Sequence, residues 1–150
     1  LSYWVFIREV PQFGLYWTVF VVVLIAMTDI SAMLVGYLIG KHSLTRISPK
    51  KTVEGSAGAL VIVTVLGAIL ANAPYLNMLW WQGAALAAAT CIAAQAGDLV
   101  ESALKRDAGV KDTGTVIQGH GGALDRFDSY LFGGMAFFGA LHVLGLLNFV

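Results

Sequence analysis

Acidic and basic side chains are concentrated in a short segment, residues 97–106, that follows a long apolar run. Its polar residues recur at i, i+3, i+4 and i+7, which in a continuous helix is a single face: Asp98, Glu101, Ser102 and Lys105. The acids come first, and Lys105 and Arg106 follow one turn later. This order is suited to holding a divalent cation beside a phosphate group. The simpler interpretation is a solvated helix end with intrahelical ion pairs.

A second polar cluster occupies residues 111–128 and begins with Lys111. Glycines lie on both sides of His120, and their backbone N–H groups can approach phosphate oxygens closely. Asp125 and Asp128 are spaced i, i+3 and offer oxygens of the kind that Mg²⁺ takes together with substrate phosphates. His120 is either catalytic or orients the loop. Together the two clusters predict a metal-dependent site for phosphates.

One further acid, Asp29, lies inside an apolar run, twelve residues before Lys41. In a continuous helix this separation is roughly 18 Å. An ionised carboxylate at that depth normally faces a cavity, a cation or a basic partner. The alternative is an acid at a helix end, beside a break near Gly36 or Gly40.

The composition decides which kind of protein must position these residues. Hydrophobic residues make up 58% of the 150 residues and charged residues 12%, where a soluble domain has about 25% charged residues. This excludes a disordered chain and a basic nucleic-acid-binding domain, so no nucleic-acid partner is expected. The single cysteine, Cys91, cannot form a disulfide framework and is expected to be a buried apolar residue. The chain is predicted to be an all-α integral membrane protein.

Three long uncharged runs, 10–28, 55–97 and 129–150, predict four transmembrane helices, approximately 13–39, 56–72, 76–97 and 129–149. The long run 55–97 must turn, and Asn72 and Pro74 supply the break. All basic residues except Arg8 fall between the first and second spans or between the third and fourth. By the positive-inside rule these connections, and with them the catalytic loops, face the cytoplasm. In a bacterium this would be the inner, or plasma, membrane.

The ordered motifs resemble the phosphatidate cytidylyltransferase (CDP-diacylglycerol synthase) family. The resemblance covers roughly 28–150 and rests on motifs whose spacing matches the family signature throughout: Ser102-Ala-Leu104-Lys105-Arg106, Lys111-Asp112-Thr113-Gly114, His120-Gly121-Gly122 and Asp125-Arg126-Phe127-Asp128. Residues 48–55 match an upstream block of the family signature. Asp29, Gly36 and residues 40–42 match a further block. Gln118, Ala123 and Met33 depart from the family pattern. Because members are usually longer, the chain is expected to be a single transmembrane catalytic domain, the C-terminal part of a longer protein.

The resemblance implies that CTP and phosphatidate react to CDP-diacylglycerol and pyrophosphate at the cytoplasmic face. It implies Mg²⁺, as one ion or two, with Asp98 and Asp125 as primary ligands and Asp128 and Asp29 in support. The residues expected in catalysis are Asp98, Asp125, Asp128, Lys105, Arg106, Lys111 and His120. Those expected to bind phosphates are Lys50, Lys51, Lys105, Arg106, Lys111, Gly121, Gly122 and Arg126. Membrane lipids are expected neighbours, and the family favours a homodimer.

Three other functions fit parts of the pattern. A CTP-dependent lipid kinase of the polyprenol or phytol type would use the same nucleotide but yield CDP. A non-catalytic scaffold, or an inactive membrane fragment, would carry these acids without turnover. A transporter would need broken helices at mid-membrane, and Asp29 is the feature that points to one.

Overall fold

The computed structural model describes residues 2–45, 48, 50–76, 78–109 and 124–147, with 124–127 described by their backbone. These residues form five α-helices: α1 (Ser2–Glu9), α2 (Gly14–Ile39), α3 (Val53–Leu70), α4 (Trp80–Asp107) and α5 (Leu124–Val143). An isolated antiparallel bridge joins Ser43 and Thr52 in the connection between α2 and α3. The all-α prediction is confirmed over this part of the chain.

Among the described residues, three helices, α2, α3 and α4, are long and apolar enough to cross a membrane. They match the first three predicted spans. Large apolar side chains on the outside of α3, such as Val61, Val65 and Ile69, are more than half exposed. A bilayer accommodates such a surface, whereas water does not. The chain is therefore a membrane protein. The fourth predicted span overlaps α5 and stays a prediction.

Local sequence explains where the long helices begin and end. Thr52 caps α3, because its Oγ1 accepts the backbone N–H of Gly55 at 3.1 Å, so the helix begins three residues earlier than predicted. α3 ends at Leu70, just before the predicted break that contains Pro74. α4 continues past Gly97 to Asp107, which is the condition for its acids and bases to share one face.

The helices pack as an antiparallel series in which α4 lies against both α3 and α5, and α2 lies against α3. The backbones of α3 and α4 nearly touch, since a Cβ on Gly67 would lie 2.6 Å from the carbonyl oxygen of Gly83. Side chains from all five helices fill the core, among them Ile7, Leu24, Val63, Leu86 and Phe137. Cys91 is buried, as predicted.

Two buried threonines inside the membrane helices are satisfied locally. Thr28 donates to the carbonyl oxygen of Leu24 at 2.9 Å, and Thr90 donates to that of Leu86 at 2.7 Å. These hydroxyls bond within their own helix, so they occupy the apolar core without needing a partner helix. The antiparallel order brings the ends of α2 and α4 and the starts of α3 and α5 to one end of the bundle.

Candidate active site

Three carboxylates meet where α4 packs against α5. Oxygen atoms of Asp98, Glu101 and Asp128 all lie within 4.8 Å of one another. Among the described residues, these three form a group that could bind a metal ion. Glu101 and Asp128 are buried, with 5% and 6% of their surface exposed, and Asp98 is partly exposed. The close helix approach depends on Gly97, because a Cβ there would lie 2.6 Å from the ring of Phe132. We call these three residues the acid cluster.

Two lysines contact the acid cluster from different directions. The ammonium group of Lys51, from the connection between α2 and α3, forms an ion pair with Asp98. Lys105 pairs with Glu101 one turn away on α4, with 2.7 Å between Nζ and Oε2. The lysines offset much of the mutual repulsion of the carboxylates.

The third acid, Asp128, receives its support from the backbone. Its Oδ1 accepts the backbone N–H of Ser129 at 2.6 Å. Burial raises the pKa of the Asp128 carboxyl above its ordinary value, and the nearby Asp98 charge acts in the same direction. A nearby cation would counter both effects.

Two cavities open beside the acid cluster, and Asp29 and Asp98 line both. The larger one, which we call the lysine cavity, measures about 500 Å³ and is bordered by Lys50, Lys51 and Thr52. The other, the acid cavity, measures about 450 Å³ and is bordered by Asp128 and Ser129. The intramembrane acid therefore faces cavities, as the sequence predicts, although it lies outside the acid cluster.

The wall of the lysine cavity contains a polar contact between α3 and α4. The hydroxyl of Ser56 bonds to Oε1 of Gln95, and Nε2 of Gln95 reaches the backbone oxygen of Ser56 at 3.4 Å and the sulfur of Cys91 at 3.1 Å. Unlike the threonines of the core, this pair bonds across two helices. It gives this part of the cavity a polar surface.

The other predicted site residues fall into three groups. Lys50 borders the lysine cavity, and Arg106 lies exposed at the end of α4. Asp125 and Arg126 lie in the first turn of α5, one turn before Asp128. Four residues lie outside the described part of the chain: Lys111, His120, Gly121 and Gly122.

Sequence analysis missed two parts of this site. Glu101 shares the predicted helix face of Asp98 but is not among the predicted ligands. Its spacing from Asp98, i to i+3, is the same as that between Asp125 and Asp128. Ser56 and Gln95 are not among the predicted site residues, because isolated polar residues in apolar helices usually bond locally.

The sequence pattern of the cytidylyltransferase family matches residues 1–144 of this chain. The chain belongs to the cytidylyltransferase family. The family match extends over α1 to α5, so the acid cluster and both cavities lie within the matched region. The resemblance noted from the motifs is confirmed.

Curated relatives within the family carry the name phosphatidate cytidylyltransferase. The protein from Bacillus subtilis (strain 168) is 45% identical over 131 residues, which is 87% of this chain and 49% of the relative. The one from Synechocystis sp. is 48% identical over 79% of this chain and 41% of the relative. The one from Staphylococcus saprophyticus is 39% identical over 85% of this chain and 49% of the relative. The chain thus spans about half the length of the curated relatives it matches.

Proposed function

We propose that this chain carries the catalytic site of a phosphatidate cytidylyltransferase, which makes CDP-diacylglycerol and pyrophosphate from CTP and phosphatidate. The observation that carries the proposal is the meeting of Asp98, Glu101 and Asp128 with Lys51 at the end of the membrane helices, in a chain of the cytidylyltransferase family. The curated relatives named for this reaction support the choice of substrates.

The position of the site suits one water-soluble and one membrane-bound substrate. Asp29 and Gln95 line the lysine cavity from helices apolar enough to cross the membrane, and Lys50 and Lys51 line it from a connection at the helix ends. A lipid phosphate at the membrane surface and the phosphates of CTP can therefore approach the same lysines. The positive-inside rule assigns this end to the cytoplasm, where CTP is available.

Both substrates are anions, so the chain must neutralise charge and align the reacting groups. A phosphate oxygen of phosphatidate attacks the α-phosphorus of CTP and forms a new P–O bond. The bond from the α-phosphorus to the bridging oxygen breaks, and pyrophosphate leaves with the electron pair. Lys50, Lys51 and Lys105 hold the phosphates, and Arg106 and Arg126 add positive charge at the same end of the bundle. Lys111, His120, Gly121 and Gly122 keep the roles that the family resemblance implies.

The donor atoms of the acid cluster fit Mg²⁺. All are carboxylate oxygens, the hard ligands that Mg²⁺ prefers, and Mg²⁺ holds opposite oxygens about 4 Å apart. Oxygens that already lie within 4.8 Å of one another need only small side-chain adjustments. We assign Asp98, Glu101 and Asp128 to the ion. Asp125 lies one turn earlier on α5, and Asp29 lines the two cavities beside the cluster. Bound Mg²⁺ would offset the negative charge on the phosphate oxygens during transfer.

The test is pyrophosphate release by the purified protein in detergent, with CTP and phosphatidate, with and without Mg²⁺. We expect release that requires phosphatidate and Mg²⁺ together, and CDP-diacylglycerol as the lipid product. CDP with a phosphorylated lipid alcohol would instead identify a lipid kinase. A folded protein that binds CTP and turns over neither substrate would contradict the proposal.

A further inference from the structure

The connection between α2 and α3 forms a hairpin, and we call residues 41–44 and 51–54 its two legs. The backbone N–H of Leu44 donates to the carbonyl oxygen of Lys51 at 2.7 Å, and the N–H of Val53 donates to that of His42 at 2.9 Å. Lys51 therefore lies on a leg whose position depends on the opposite leg. Its ammonium group reaches across to Asp98 on α4.

The base of the hairpin is fastened by a side chain that the proposed mechanism does not use. Oε2 of Glu54 accepts the backbone N–H groups of Lys41 and His42, each at 3.2 Å. Its Oε1 lies 2.6 Å from Nδ1 of His42. One carboxylate thus takes three contacts from the leg that leaves α2, although it belongs to the first turn of α3.

An acid in the first turn of a helix usually stabilises the N-terminal end of its own helix. Here that function belongs to Thr52, whose hydroxyl oxygen caps α3. The contacts of Glu54 lie on the other leg, so its role is to connect the hairpin rather than to cap the helix.

We infer that Glu54 is a positioning residue for the proposed reaction: by clamping the base of the hairpin it holds the ammonium group of Lys51 at Asp98. Glu54 lies three residues after Lys51, and its contacts with Lys41 and His42 close the base of the hairpin that contains Lys51. The effect on turnover rests on the proposed function, whereas the effect on the hairpin does not. Because the two backbone hydrogen bonds between the legs remain, loss of the clamp loosens the hairpin without unfolding the protein.

The first measurement is amide hydrogen exchange of the purified protein in detergent, compared between wild type, Glu54→Ala and Glu54→Gln. Loss of charge-assisted hydrogen bonds predicts roughly tenfold faster exchange at Leu44 and Val53 in Glu54→Ala. Glu54→Gln keeps an acceptor oxygen, so its exchange rates should fall between those of wild type and Glu54→Ala. The control is Glu9→Ala, which removes an exposed acid at the end of α1 and should change neither amide. Unchanged exchange in Glu54→Ala would overturn the clamp.

The second measurement is a double-mutant cycle on turnover, which asks whether Glu54 acts through Lys51. Glu54→Ala alone should slow turnover about tenfold, and should add less than about twofold when Lys51 is already alanine. In an Arg106→Ala background it should add its full effect. Equal, additive effects in both backgrounds would contradict a role through Lys51. If the wild type shows no turnover, the proposed function fails, and the exchange result still decides the clamp.

Discussion

Asp98→Asn separates the chemical role of the acid cluster from its structural role. Asp98 and Lys51 leave 32% and 30% of their side-chain surfaces exposed, so water screens their ion pair. Such pairs contribute about 0–1 kcal/mol to stability, which corresponds to a fall in Tm of at most about 4 °C. Loss of a group that stabilises charge in a transition state costs about 10²–10³-fold in rate. We therefore expect turnover to fall at least about 100-fold while the protein stays folded.

The assay is pyrophosphate release with CTP, phosphatidate and Mg²⁺, run beside thermal unfolding of the same detergent preparations. Asp107→Asn is the matched control, because Asp107 is an exposed acid on the same helix, at its last residue. It should keep wild-type turnover. The reasoning would be refuted if Asp98→Asn kept more than about a third of wild-type turnover. It would also be refuted if the Tm fell by more than about 10 °C, since unfolding would then explain the loss.

Two further predictions concern Glu101 and the contact between α3 and α4. Glu101→Gln should raise the Mg²⁺ concentration for half-maximal turnover by about 10–100-fold, measured by Mg²⁺ titration; an unchanged titration would remove Glu101 from the ligand set. Gly67→Ala should lower stability by about 1–3 kcal/mol, because the new methyl group would meet the carbonyl oxygen of Gly83. Gly139→Ala is its control, since a Cβ there meets nothing within 4 Å. Equal thermal unfolding of these two variants would show that the close contact is unimportant.

The membrane helices could be predicted from the sequence because their signals are local. Uncharged runs gave the spans that correspond to α2, α3 and α4, and Pro74 marked the turn between the last two. The helical spacing of Asp98 and Glu101 correctly indicated a shared face. These features depend on neighbouring residues along the chain, so the pattern of residue types was sufficient.

The composition of the acid cluster could not be predicted in the same way. Whether Asp128 meets Glu101 depends on how α5 is rotated against α4, and that rotation is fixed by Gly97 packing on Phe132. The pairing of Glu54 with His42 likewise depends on backbone hydrogen bonds across the hairpin. Such contacts join distant parts of the chain. Family resemblance supplied candidate residues here, and packing determines which of them touch.

The turn between α3 and α4 lies at the end of the bundle opposite the acid cluster, so the two faces of the protein can be labelled independently. The turn is tied to α2 by the indole N–H of Trp17, which donates to the backbone oxygen of Leu76 at 3.2 Å. Asn72 in this turn is exposed, and the native Cys91 is buried. In Asn72→Cys the new thiol would be the accessible one. Since we propose that the acid cluster faces the cytoplasm, a membrane-impermeant thiol reagent added outside sealed cells should modify this cysteine. The result reports sidedness without disturbing any charged group.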